Sequence, residues 1–368
     1  MPKIGPSLSF EIDVSTAQPI KANASSTACY QGQTHGNDGF LLSVEQAQNL
    51  IKTQKNLVPY LHPYMITDDL IGSNDSLPSR YVVDFEDIGL LDVQKFPAVY
   101  KALEKRVLKA RVVAAEKERK RNEEALDDDK EGKVVKDHAN ALKTWWLLFR
   151  RRGELLSNIG SLSRYIVCGR VTKRPIFEFV APEIHPNDSL TAFPLDDDYS
   201  FGILQSSIHW LWFTARCSTL KSDPRYTSNT VFDSFPWPQR PTLKNVEKVA
   251  KAAVALRKLR RGLMQKYDIS LRELYRALEK PGTSPLKDAQ SKLDLAVREA
   301  YGMNKSENPL AFLLNLNRAV LSAGDAGKPV TGPGLPAVAK DKAKFVTDDF
   351  IRMPAATKLR AEAGAKVA

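Results

Sequence analysis

The spacing of apolar and polar positions changes character several times along this chain, and each change predicts an element. Residues 40–60 read as a helix, with Ser43 as N-cap and Gln46 placed to close a capping box. Arg80–Phe85 is a run of β-formers and predicts a strand. Val99, Leu103, Val107 and Leu108 share one face of a charged helix over about 96–124. The following run, EEALDDDKEGKVVKD, has few apolar residues and predicts a solvated loop, after which Trp145-Trp146-Leu147-Leu148 returns to a core. Between 164 and 199, the short runs SRYIVCGRV, PIFEFVA and SLTAFPL are broken by Lys-Arg-Pro, Pro-Glu and Asp-Asp-Asp, the pattern of a β meander. A helix over 201–216 follows. Two helical runs then fill Lys244–Lys280, split near Tyr267-Asp268, and two more helices follow, the last with Pro309 in its first turn. The first 24 residues look irregular, apart from a strand-like run at Leu8–Val14. From about Ala323 the composition shifts to Gly, Pro, Ala and Lys and predicts a disordered tail. The apolar island Phe345–Ile351 is either a docking segment for a partner or, more simply, part of that tail.

The prediction is therefore an α+β fold. An irregular segment (1–24) precedes a mixed α/β domain with a small meander (25–240), an α-helical domain (241–322) and the tail (323–368).

Within this frame, Ile203–Pro238 is the most informative stretch. It opens as an aromatic-rich helix with Ile203, Leu204, Ile208, Leu211 and Trp212 at helical spacing. It breaks into the polar loop STLKSDPRYTS and closes on Phe235-Pro236-Trp237-Pro238, whose prolines continue neither a helix nor a central strand. A polar loop between two apolar anchors is how a rigid scaffold presents recognition side chains.

Charge narrows the class of partner. The net charge is +11, and the cations cluster at Lys101–Arg121, Arg150-Arg151-Arg152, Arg164/Arg170/Lys173/Arg174 and Arg257–Arg261. Such patches favour a polyanion, with phosphate contacts giving salt-sensitive affinity. A basic surface that merely keeps the protein in solution is the bland alternative. No apolar run reaches the ~18 residues that span a bilayer, and the N-terminus lacks signal-peptide character. Cys29, Cys168 and Cys217 are far apart and odd in number, which points to a reducing, cytoplasmic setting.

Several segments in order resemble the MmeI-like (type IIL) restriction–modification enzymes, single chains that methylate adenine in a specific DNA site. The resemblance is to their target-recognition and C-terminal helical regions. It rests on Ser163-Arg164-Tyr165-Ile166, Asp196-Asp197-Asp198-Tyr199 before Phe201-Gly202, Trp210/Trp212, Arg225-Tyr226-Thr227, Phe235-Pro236-Trp237-Pro238, and Leu293-Asp294-x-Ala296-Val297-x-x-Ala300-Tyr301-Gly302. It covers roughly residues 25–320. The resemblance implies double-stranded DNA as partner, with Lys221 and Asp223 as a pair reading one base pair. The chemistry is apt, since an ammonium donates to guanine O6 and N7 and a carboxylate accepts from cytosine N4. Pro224 stands between Asp223 and Arg225, at the turn that sets the loop's register. Arg225 is then a phosphate contact or loop support, and Tyr226 packs beneath the loop. Arg164, Arg170, Lys173 and Arg174 are candidates to position phosphates, with Arg170 or Lys173 able to reach a base edge. Gln31, Asn37 and Asp38 lie in the glycine-flanked YQGQTHGNDG that leads into the region.

The catalytic half is not legible. No Gly-rich S-adenosylmethionine loop, no Asn/Asp-Pro-Pro-aromatic tetrapeptide and no P-loop occurs. Asp84, Glu86 and Asp87 come nearest to a nuclease carboxylate cluster but lack its lysine, and Asp196-Asp197-Asp198 reads as a turn. The five histidines show no metal-ligand spacing. No cofactor is expected on this chain, with S-adenosylmethionine on a catalytic domain or subunit encoded upstream, and a nuclease a further candidate partner. The chain is expected to be a separate specificity subunit or part of a split or truncated gene. Nonspecific nucleic-acid binding, or docking on a methyltransferase through the C-terminal helices, are the alternatives.

Overall fold

The structure, a computed structural model, describes residues 12–128, 134–220 and 223–354. Ten short strands occur among them: β1 (Tyr30–Gln31), β2 (Leu41–Ser43), β3 (Leu61–Met65), β4 (Arg80–Val83), β5 (Tyr165–Gly169), β6 (Phe177–Val180), β7 (His185–Pro186), β8 (Leu190–Phe193), β9 (Ser218–Leu220) and β10 (Asp223–Arg225). Helices dominate the rest, as an α+β fold requires. Among the described residues no helix is long and apolar enough to cross a membrane.

Two four-stranded sheets organise the first two-thirds of the chain. One has the order β1-β8-β5-β6, antiparallel throughout, and the other the order β2-β4-β3-β7, with β3 and β7 parallel. The predicted meander is corrected here. After β6 the chain crosses to the second sheet as β7, then returns as β8 on the far side of β5. That puts β5 in the middle, and both its faces are covered. Ile166 and Cys168 join a core with Phe177, Phe179 and Phe193, while Tyr165 and Val167 join another with Leu190 and Ala192. Burial on both sides explains why YIVCG is a continuous apolar run rather than an alternating one.

Several predicted helices are re-cut by local chemistry. The 40–60 segment begins as β2, forms a helix only over Val44–Thr53, and tightens to a 3-10 turn at Lys55–Tyr60 around Pro59. Its capping box is present, Ser43 Oγ accepting from Gln46 N and Gln46 Oε1 from Ser43 N. The 201–216 helix is two, Asp198–Gln205 and Ser207–Arg216. Ser206 makes the break, its hydroxyl donating to Ile203 O and capping the second helix at His209 N. The charged helix runs through Pro97–Leu103, a π turn at Glu104–Leu108 and Lys109–Asp128. Val99, Leu103 and Val107 face a core with Tyr81, Val82 and Trp145, whereas Leu108 sits at its margin. Of the Leu8–Val14 strand, residues 8–11 lie outside the described residues and 12–14 are not a strand.

The core does not divide at residue 240. The long helix Leu243–Tyr267 packs on Asp198–Gln205 and on helix Pro285–Tyr301, and Val246, Val249, Leu293, Val297 and Leu313 share one cluster with Ile166, Phe213 and Phe235. The expected disorder from 323 is overturned as far as Pro354. Helix Pro309–Asp325 runs past Ala323, Ala339 and Phe345 are buried, and the backbone of Ile351 bonds to Phe179 O and Ala181 N at 2.8 Å each. The apolar island docks on its own chain. Composition hid this, because only a few residues are anchored and each has a dedicated partner.

Candidate nucleic-acid interface

The polar loop predicted after Cys217 is a hairpin. β9 and β10 pair antiparallel, with Asp223 opposite Leu220 and Arg225 opposite Ser218. It is fastened to the sheet by main chain alone on its outer side. Thr172 N donates to Pro224 O at 2.9 Å and Tyr226 N to Arg170 O at 2.8 Å, with a bridge between Val171 and Arg225. Residues 170–172, continuing from β5, thus act as a third strand along β10.

Beneath the hairpin, Tyr226 is fully buried. Its ring stacks on Phe213 at 5.6 Å and meets Phe193 edge-on, and its hydroxyl hydrogen-bonds His209 Nε2 at 3.0 Å. Burial pushes the His209 imidazole down to about 3, so the pair is a neutral one. Trp212, Phe235 and Trp237 complete the anchor, with Trp212 Nε1 donating to Ser234 Oγ and Tyr301 Oη to Pro236 O. Leu211, predicted on the apolar face, is exposed.

The structure sorts the predicted site residues sharply. Lys221 lies outside the described residues. Asp223 is exposed on the hairpin, and Arg225 is half-buried with an Nε that finds no hydrogen-bond partner among the described residues. Arg170 is half-buried and Lys173 exposed, both beside β10. Arg174 sits over Trp210 at 4.5 Å and Tyr275 at 5.3 Å, so its guanidinium braces the turn between β5 and β6 as a cation on two aromatic faces.

Arg164 is not brought to this surface. It is fully buried, donating to Asp198 Oδ1, Asp196 O and Thr347 Oγ1 at 2.9–3.0 Å and stacking 3.7 Å over Phe179. The Arg257–Arg261 cluster is equally diverted. Arg257 and Arg260 are buried, Arg257 on Asp198 and Asp349 and Arg260 on Glu178 and Tyr275, while Arg261 pairs with Asp349. Part of the basic charge that suggests a polyanion is thus spent inside the fold. Asp197 caps helix Asp198–Gln205 through Ser200 N, as a turn residue should, and burial raises its carboxyl to about 6. Asp84, Glu86 and Asp87 are gathered around Arg151, at 3.3, 3.1 and 3.6 Å.

Beside the hairpin lies a cleft of 510 Å³. Arg170, Gln31 and Arg152 line it, together with Thr227, Ser228 and Asn229, which continue from the hairpin. The sequence pattern places Gln31 in the glycine-flanked segment that leads into the region and Arg152 among three adjacent arginines. It does not single out Ser228 or Asn229. Nothing in the local pattern separates Arg152 from its neighbours. The structure does, by giving Arg152 a left-handed backbone (φ 61°, ψ 47°) that turns it away from Arg151.

Comparison with known proteins falls on this surface. The family described as "MmeI, target recognition domain" matches residues 174–239, from the turn before β6 to the end of the apolar close. DNA methyltransferase A of Bacillus subtilis (strain 168) is 34% identical over 112 residues, 30% of this chain and 12% of that protein. The solved structure of the type IIL restriction–modification enzyme MmeI in complex with DNA matches with a TM-score of 0.63 at 21% identity, covering 87% of this chain and 39% of that one. The chain thus carries an MmeI-like target-recognition domain and shares its fold across most of its length. It spans well under half of either relative.

Proposed function

We propose that this chain is the sequence-reading part of a site-specific adenine DNA methyltransferase or restriction–modification system, and that it binds duplex DNA with the β9–β10 hairpin and the adjoining cleft. The observation that carries the reading is the placement of the matched segment 174–239: its polar turn forms a hairpin held rigid from below and zipped to a sheet from the side. Preorganised polar side chains on rigid elements are what base readout needs. Arg170, Lys173 and Arg225 supply cations along the hairpin base for phosphates, and Lys221 with Asp223 are assigned to one base pair. Methyl transfer belongs to a catalytic domain or subunit carrying S-adenosylmethionine, with which this chain works in the cytoplasm.

The test is competition binding with the full chain. Duplexes selected from a random library should outcompete unrelated duplexes by at least about 10³-fold at physiological salt. A chain that binds all duplexes equally, with affinity falling steeply in salt, overturns the reading. At the hairpin, Asp223→Asn and Lys221→Ala are expected to relax preference at a single base pair, whereas a uniform loss makes Lys221 a phosphate contact.

A further inference from the structure

Arg152 and Gln31, both in the lining of this cleft, are held by an extended hydrogen-bond network. Arg152 Nη2 donates to Gln31 Oε1 at 3.1 Å, tying together two residues 121 positions apart. Both are held by their chain neighbours. Gln33 Nε2 donates to Arg151 O and to Asp84 Oδ2, each at 2.8 Å, while its Oε1 lies 3.1 Å from His185 Nδ1. Arg151 is itself clamped by three carboxylates. Between Gln31 and Gln33, Gly32 presses so closely on the 186–187 backbone that a Cβ there would lie 2.2 Å from Asn187 O. Arg152 adopts a left-handed backbone that is disfavoured for a non-glycine residue. Such a conformation persists only where the surrounding structure holds it in place.

The chemistry of Arg152 is one-sided. Gln31 Oε1 accepts one hydrogen bond from Arg152 and so fixes the plane of the guanidinium. What Arg152 itself can still offer the cleft is donors only, the guanidinium N–H groups not used on Gln31. In the major groove a donor-only face matches guanine, which offers O6 and N7 as two adjacent acceptors, and mismatches adenine, whose N6 is a donor. Arg170 stands in the same cleft and supplies a second cation for the adjacent phosphate.

We infer that Arg152, oriented by Gln31, reads a guanine at a position of the DNA site separate from the base pair addressed by the hairpin. The inference rests on the duplex-recognition reading above, and Arg152 is its specificity-determining residue, with Gln31 as a positioning residue.

The experiment uses the full chain, the duplexes it selects from a random library, and single-position variants of the preferred site. Arg152→Lys keeps the charge and loses the planar fork, so it controls for both folding and simple electrostatics. Arg152→Lys and Arg152→Ala should each reduce discrimination at one guanine by about 5- to 150-fold, with preference elsewhere intact. Gln31→Ala should weaken the same position and no other. Asp223→Asn should affect a different position. A loss equal at all positions, recovered by Arg152→Lys and accompanied by a salt slope lower by about 1 in Arg152→Ala, makes Arg152 a phosphate contact and overturns the inference. Unchanged binding in all three variants also overturns it. A wild-type chain without sequence preference overturns the duplex-recognition reading itself, a result distinct from either.

Discussion

Two groups of arginines in this molecule have the same side chain and opposite fates. Arg164, Arg257 and Arg260 are fully buried, matched by Asp198, Asp349 and Glu178, and stacked on Phe179, Phe201 and Tyr275. Arg152, Arg170 and Arg225 line a cleft or flank a hairpin; each is half-buried, and none has an ion pair among the described residues. The first group joins the sheet, the long helix and the C-terminal strap. The second group keeps donors unspent. Burial of an arginine is tolerated when a carboxylate balances its charge, and a charge left without one at a concave surface is available to a ligand.

The largest break in this contrast comes from removing a buried acid. Asp198→Ala leaves Arg164 and Arg257 facing each other without their shared carboxylate and should cost about 3–5 kcal/mol in urea unfolding. Protein that remains folded should keep its DNA preference. Ending the chain after Lys340 removes Phe345, Thr347 and Asp349 and should cost about 3 kcal/mol, with earlier cleavage in limited proteolysis. Unchanged stability would make the strap a passenger. The anchor beneath the hairpin is sharpened by pH. The folded His209 value of about 3 lies below its ordinary 6.5, so the unfolded chain takes up the proton first. Its contribution is therefore complete above about pH 6.5 and is lost progressively toward pH 3; His209→Gln should flatten that part of a stability-against-pH profile. Tyr226→Phe removes one buried hydrogen bond, with an expected loss of about 1 kcal/mol and no change in base preference. Smallest of all, Asp223→Asn should leave thermal unfolding within about 0.5 kcal/mol of the parent, because its carboxylate is exposed, while altering which duplex is preferred.

Much of the architecture was legible in the chain because it is written locally. The capping box at Ser43, the apolar face of the 97–108 helix, the breaks near Asp268 and Pro309 and the proline-bounded close at 235–238 all act through near neighbours. What was not legible depends on distant partners. The strand order around β5 requires knowing that β7 leaves for another sheet. The strap is ordered by a handful of contacts to residues more than 80 positions away. The same limit governs the site. Asp223 and Arg225 could be placed by the motif, but Arg164 looks on paper like Arg170, and only Asp198 and Phe179, brought in by the fold, separate them. Arg152 was hidden for the complementary reason. Its neighbours in sequence are also arginines, and its role depends on Gln31 from the start of the chain.

The central strand β5 carries one last consequence, for how the molecule comes apart. Ile166 and Cys168 belong to one core and Tyr165 and Val167 to another, so a four-residue stretch is shared property of both. Neither core can melt without stripping the strand that seats the other, and the two halves are bound into one cooperative unit. The amides of β5 should then exchange with solvent only through global opening, slower than any others. A molecule built so keeps the frame behind the hairpin closed until the whole fold opens.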